Sequence, residues 1–335
     1  MPSVLVLGAA SFVGGAIVEA IQRAHPSWQI TAFVSSDDLY DDLESELGGA
    51  KIVEGEVDEA EKIAKLSIEH DVVVNATVRH RRELISAIIE GSSKKSGKVK
   101  LIHISGGRKF VDGGQSGDFN PESKVWSDDS IDDIKASTKE GSSDAVVMDA
   151  GKNGQLETYI VAPGFIYGNA AVRSSVVKNG YWFLVSMAQG LGHLEYIGSG
   201  SALISAVHVV DVADFIVKLI DLAVSGPPDG SVYERFYIVE NSAVSWKALQ
   251  TEFAKVLYRK GVITSPVAES ISFEKANGYH RSCRILGANM LMKGPRGIRM
   301  GFKATHRDIL EQIDEDIDQF DIGDMVSQRS LQWLA

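Results

Sequence analysis

The stretch Val4-Leu5-Val6-Leu7-Gly8-Ala9-Ala10-Ser11-Phe12-Val13-Gly14-Gly15 decides how the rest of the chain is read. Four branched apolar residues in a row leave no polar face, the pattern of a parallel strand buried on both sides. A turn bearing Gly8 and Gly14 follows, and Ala16-Ile17-Val18-Glu19-Ala20-Ile21 begins a helix with apolar residues on one face. Strand, glycine turn and helix N-terminus together build an anion site. Free backbone N–H groups and the positive end of the helix dipole converge on one spot, and the missing side chains let a pyrophosphate come close. A nucleotide is the usual occupant; a glycine-rich βα turn with no ligand is the plain alternative.

Outward from this stretch, short apolar runs alternate with helical patterns. Residues 30–34 read as a second strand, 51–57 as a third with its exit, and 71–77 as a fourth. Residues 99–104 read as a fifth, ending at Ser105-Gly106-Gly107, and 158–168 as a sixth, broken by Pro163-Gly164. Helical patterns lie between them, notably at 83–89 and 145–151. The alternation predicts an α/β fold, a Rossmann-type doubly wound parallel sheet, with ligands at the C-terminal ends of the strands. Ser35 and Asp37 follow the second strand, where an acid binds the ribose 2′-hydroxyl of NAD and an arginine favours the 2′-phosphate of NADP. No arginine is near, so NAD is favoured over NADP; capping of the next helix by Asp37 is the plain alternative. Residues 108–143 are polar and acidic and are predicted to form a long loop, either a functional excursion or a solvated insertion.

Composition narrows the class. The chain has 335 residues, 44% hydrophobic and 24% charged, ordinary values for a soluble globular protein. A formal net charge of −11 argues against nucleic acid and anionic membranes as partners, since both need clustered Lys and Arg. Lys94, Lys95, Lys98 and Lys100 are the densest basic cluster and read as a solvated surface. A single cysteine, Cys283, supports neither a disulfide framework nor a Cys-based metal site, and no metal centre is expected. The apolar start is itself the first strand rather than a signal peptide, and no run of 18 apolar residues occurs, so the cytoplasm is the default location. Asn75-Ala76-Thr77 fits a glycosylation pattern but closes a strand expected to be buried.

These segments resemble, in order, those of a known family. Gly8-Ala9-Ala10-Ser11-Phe12-Val13-Gly14 resembles the Gly-Ala-x-Gly-Phe-Ile-Gly turn of the extended and atypical short-chain dehydrogenases/reductases, the NAD-dependent epimerase/dehydratase family. Ser11 replaces the middle glycine; a serine can donate to a phosphate but adds bulk where backbone approaches it. Residues 71–77 resemble the family's Asp-Val-Val-Ile-Asn-Ala-Ala segment, and Ala162-Pro163-Gly164-Phe165-Ile166-Tyr167-Gly168 its Arg-Pro-Gly-x-Val-Tyr-Gly segment with Ala162 in place of arginine. Residues 206–213 resemble its Val-His-Val-Asp-Asp-Leu-Ala helix entry, and 294–303 its Leu-Gly-Trp-Lys stretch before a final helix at about 307–317. The likeness spans about residues 3–320 and is nearest to atypical fungal members, which suggests secondary metabolism.

The resemblance implies an NAD(P)-binding domain over residues 1–168 and a smaller C-terminal substrate lobe over 169–335, with about 203–240 returning to the first domain. It assigns the cofactor to Gly8, Ser11, Phe12, Val13, Gly14, Ser35, Asp37, Glu56, Val57, Asn75, Ala76, Thr77, Pro163 and Phe165, with Glu56 at the adenine amino group. It also allows a homodimer. The family's proton relay is Ser/Thr with Tyr-x-x-x-Lys, Tyr and Lys sharing one helix face. Ser105 fits the serine position, but no tyrosine occurs between Tyr40 and Tyr159. Counting back from Ala150-Gly151 puts the pair near Ala136 and Glu140, or near Lys135 and Lys139 in the neighbouring register. The remaining acid/base candidates are Tyr167 and His208, then Tyr181 and His193; packing or a backbone hydrogen bond is the plain alternative for each.

The expected activity is oxidoreduction, or an epimerase/dehydratase step, on a small apolar or aromatic metabolite; the aromatic run Tyr181-Trp182-Phe183 either lines its pocket or forms a plain core helix. A dinucleotide-binding sensor without turnover, resembling the nitrogen-metabolite repressors of this fold, is the second reading. A cofactor-independent isomerase, cyclase or dehydratase in the same cleft is the third.

Overall fold

The computed structural model describes residues 1–35, 43–77, 82–113, 116–169, 181–226, 230–279 and 281–319. Asp37 lies outside the described residues. The first half alternates as β1 (Ser3–Leu7), α1 (Phe12–Ala24), β2 (Gln29–Val34), α2 (Leu43–Glu46), β3 (Lys51–Glu54), α3 (Ala60–Glu69), β4 (Val72–Asn75), α4 (Arg82–Ser92) and β5 (Lys100–Ile104). Then come β6 (Val125–Ser127), α5 (Ile131–Ser137), α6 (Ser143–Lys152), β7 (Glu157–Pro163) and β8 (Phe165–Tyr167). The rest is α7 (Trp182–Leu191), β9 (Glu195–Ile197), β10 (Leu203–His208), α8 (Val209–Ser225), β11 (Phe236–Val239), β12 (Ser242–Ser245) and α9 (Trp246–Arg259). It ends with β13 (Glu269–Ile271), α10 (Phe273–Tyr279), β14 (Leu291–Lys293), α11 (Pro295–Arg299) and α12 (Ile309–Asp318).

Seven parallel strands form the central sheet in the order β3-β2-β1-β4-β5-β7-β11. Val4, Leu5, Val6 and Leu7 are fully buried because β1 lies mid-sheet with helices on both faces. Val4 and Val6 pack with α1 and α8, while Leu5 and Leu7 join the opposite layer, which includes side chains of α4 and α6. Strand order reverses between β1 and β4, which opens a crevice at their C-terminal ends, the position where such sheets bind ligands.

Three small sheets carry the rest: β12-β10-β8, β13-β9 and β14-β6. The stretch 108–143 is therefore not a structureless loop. It holds a single turn of 3-10 helix at Gly107–Phe110, then β6 and α5, and β6 pairs with β14 across more than 160 residues. The turn and β6 are three or four residues long, too short to show a periodicity in sequence. No helix among the described residues is long and apolar enough to cross a membrane.

Candidate active site

The nucleotide turn is built by two glycines with different reasons. Gly8 leaves β1 at φ +78, a left-handed value that side chains disfavour. Gly14 sits in the first turn of α1, where a Cβ would fall 2.0 Å from the Gly8 carbonyl oxygen. The helix can approach the turn so closely only without that carbon. Ser11 is the N-cap of α1: its hydroxyl accepts from the Gly14 N–H at 3.1 Å and donates to the Ala76 carbonyl at 3.3 Å. Its hydroxyl is thus turned back into the fold. The N–H groups of Phe12 and Val13 have no protein acceptor among the described residues, and they open at the positive end of the helix.

On the other side of the turn, Ser35 leaves β2 and its hydroxyl lies 3.2 Å from both carboxylate oxygens of Glu56, just beyond β3, with Val57 half-buried next to it. The Gly8 and Ala9 N–H groups bond to the Phe33 carbonyl, so this pair and the glycine turn share one edge of the sheet.

At the other end, β4 and β5 deliver a polar cluster. Asn75 Oδ1 accepts from the Thr77 backbone N–H and hydroxyl, at 3.3 and 2.8 Å. That orientation turns its amide nitrogen to His103 Nδ1 at 3.1 Å, so the ring carries its proton on Nε2, 3.2 Å from Asp144 Oδ1. Ser105 donates to Asp144 Oδ2 at 2.8 Å, and Lys109 bonds the same oxygen. Asp144 stands in the first turn of α6, capped by Ser142. Burial would raise its carboxyl, but the His103 hydrogen bond and the Lys109 charge outweigh that and hold it well below the usual carboxylate range. Burial pushes the Lys109 amine below the usual lysine range, against the pull of Asp144. Pro163 borders the same spot, since a Cβ on Gly107 would lie 3.1 Å from its carbonyl oxygen.

The positions counted back for Tyr and Lys are corrected by this geometry. Ala136 is on α5 and Glu140 is in the exposed connection before α6, so the two share no helix face, and Lys135 and Lys139 are exposed as well. The helix returning to β7 starts only at Ser143 and brings Asp144, not a phenol, to Ser105. Lys109 and Asp144 were missed because they meet across 35 residues from a turn and a helix; the signal available was a lysine four residues after the serine.

The other candidates lie elsewhere. The Tyr167 hydroxyl donates to the Arg307 carbonyl, and burial raises its pKa well above that of an ordinary phenol. His208 caps α8, accepting from the Val210 N–H at 3.2 Å, and stacks on His306 at 3.8 Å. Burial and the neighbouring His306 push its imidazole down to about 4. Tyr181 donates to Asp316 at 2.6 Å, and His193 lies 3.0 Å from buried Glu195. Among the described residues none of these four hydrogen-bonds to Ser105. Phe165 stands in β8 with its ring edge-on to Trp246, and the Asn75 side chain is committed to Thr77 and His103 and is buried, which also removes it from glycosylation.

A model of the NAD(P)H-binding family matches residues 8–183. Over 315 residues the chain is 25% identical to Oxidase ucsJ of Acremonium sp., covering 88% of this chain and 90% of the relative. Among solved structures, dTDP-glucose 4,6-dehydratase from Bacillus anthracis, in complex with NAD, superposes with a TM-score of 0.67 at 16% identity, covering 98% of this chain and all of the other. A UDP-glucose 4-epimerase from Stenotrophomonas maltophila, with bound NAD, gives 0.65 at 15% identity over the full length of both chains. The chain thus shares the fold of these NAD-bound enzymes over its whole length.

Proposed function

Since the chain belongs to the NAD(P)H-binding family, we propose that it is an NAD-dependent oxidoreductase acting on a carbonyl or alcohol of a small, apolar or aromatic metabolite. The observation that carries this reading is the pair of N–H groups, Phe12 and Val13, without a protein acceptor among the described residues, opening at the strand-order reversal with Ser35–Glu56 on one side and Ser105 on the other. Those two N–H groups hold the pyrophosphate. Ser35 and Glu56 take the adenosine end, where the Glu56 carboxylate repels a 2′-phosphate and so favours NAD over NADP. A bound nicotinamide supplies or accepts the hydride. Ser105 orients the substrate oxygen with its hydroxyl.

The relative named as an oxidase supports redox chemistry over epimerisation. The half-buried Trp182 and Phe183 of α7 support an apolar or aromatic substrate. The cofactor-independent reading loses its main support, because the Ser11 hydroxyl is occupied as a helix cap. A sensor without turnover keeps one argument, the missing Tyr-Lys pair. The test is a titration of the protein with NADH and with NADPH, followed by nicotinamide fluorescence and thermal melting. NADH at 100 times its dissociation constant should add ~2.7 kcal/mol of stability, with NADPH needing a higher concentration. No stabilisation by either would sink the proposal; binding with no metabolite-dependent loss of NADH would favour the sensor.

A further inference from the structure

Among the described residues the cluster around Ser105 contains one lysine, and no established role covers it. Lys109 leaves the 3-10 turn directly after Ser105, and its ammonium reaches the Asp144 oxygen that also accepts from the Ser105 hydroxyl. On its other side the ammonium faces the rings of Phe110 and Phe236, with centroids 5.1 and 5.0 Å away. The side chain keeps 19% of its surface exposed, so it is held without being sealed. The cluster is continuous with the nucleotide turn: a Cβ on Gly8 would lie 3.0 Å from the Thr77 Cα, and Thr77, Asn75, His103 and Asp144 follow by hydrogen bond or close contact.

We propose that Lys109 is the proton-carrying group of this site, standing in for the absent phenol and exchanging a proton with the substrate oxygen that Ser105 orients. The inference rests on the oxidoreductase reading above. In the reducing direction an N–H bond of the ammonium breaks and its electron pair stays on Nζ. The proton goes to the substrate oxygen as the carbonyl carbon receives a hydride from the reduced nicotinamide. The neutral amine then regains a proton from water, and oxidation runs the same transfers in reverse. Asp144 is the positioning residue. Its carboxylate is already held anionic by three donors, so it is a poor proton carrier and a good anchor. His103 has its proton committed to that anchor.

The decisive experiment measures the amine itself. Lysines are labelled with acetic anhydride across the range from about pH 6 to about pH 10, with and without saturating NAD+, and read peptide by peptide by mass spectrometry. Lys109 should titrate below the surface lysines, and NAD+ should cut its labelling several-fold while Lys94 and Lys98 are unchanged. A Lys109 that titrates with the surface lysines, or that ignores bound NAD+, overturns the inference. If NAD+ fails to stabilise the protein at all, the cofactor reading itself has failed, which the melting curve reports separately. Lys109→Arg provides the second arm. It keeps the charge on Asp144 and the fold but cannot release a proton near neutrality. It should melt close to the parent, bind NADH as tightly, and lose about 100-fold or more in kcat with aromatic ketone or quinone probes. Full activity of Lys109→Arg with any probe the parent reduces would also overturn the inference.

Discussion

Ser11 shows how one hydroxyl can serve the fold at a place where the family usually has a ligand-facing glycine. It satisfies the Gly14 N–H and ties α1 to the Ala76 carbonyl beside β4. Ser11→Ala should therefore cost about 1 kcal/mol of stability, the usual loss for an N-cap, while Ser11→Gly should cost only a few tenths. Neither should change NADH affinity more than a few-fold, because the Phe12 and Val13 N–H groups do the binding. Urea melts and fluorescence titrations of the two variants check this, and a large gain in affinity in Ser11→Gly would mean that the side chain does crowd the phosphate. Tyr167 is argued the same way. Its hydroxyl is spent on the Arg307 carbonyl, and burial keeps the phenol protonated. Tyr167→Phe should lose about 1 kcal/mol of stability and keep its kcat and pH profile. A collapse of kcat at unchanged stability would return Tyr167 to the chemistry.

At the scale of elements, the insertion between β5 and β7 is held to the sheet by one buried carboxyl. Asp128 follows β6 and accepts from the Ile238 N–H of β11 at 2.9 Å and the Arg296 N–H of α11 at 3.2 Å. Burial is the largest influence on it and raises it to about 6, despite those two donors and the Arg296 charge. A carboxyl raised on folding stabilises most when protonated. Its contribution is complete below the ordinary carboxylate value and is lost as pH climbs through about 6, a swing of up to about 3 kcal/mol. Asp71, Asp144 and Asp211 are lowered and slope the other way, so the observable is the difference between parent and Asp128→Asn melted from pH 4 to 7. Parallel stability curves would refute it. The same region marks where sequence stopped being legible. Six of the seven strands of the central sheet were legible, most of them because burial on both faces demands unbroken Val, Ile and Leu, whereas β11 was not foreseen. The partner of β6 could not be foreseen, since a three-residue strand carries no pattern and β14 lies far along the chain. The Ser105 cluster was half-legible: the serine was found from its strand end, whereas Lys109 and Asp144 acquire meaning only once α6 is seen to start at Ser143.

For the molecule as a whole, residue 168 does not end the first folding unit, because the chain returns to it. β11 pairs with β7, Phe236 beside Ile160 and Ile238 beside Ala162, and α8 covers the face of the sheet that carries α1. Val212, Phe215, Ile216, Leu219 and Ile220 of α8 are all at most 1% exposed. At ~1.5–3 kcal/mol for each buried side chain, these five contribute ~7–15 kcal/mol, which is the whole net stability of an ordinary domain. A fragment ending at residue 168 would lose them and leave β7 as a bare apolar edge, a template for aggregation. We therefore expect the fragment 1–168 to be insoluble or to melt without a cooperative transition, although it contains the glycine turn, Glu56 and the Ser105 cluster. A fragment 1–240 regains β11 and α8 and should recover a cooperative melt and NADH stabilisation, with the substrate-lobe elements after β11 absent. If 1–168 alone melts cooperatively and binds NADH, then α8 and β11 decorate the nucleotide domain rather than complete it.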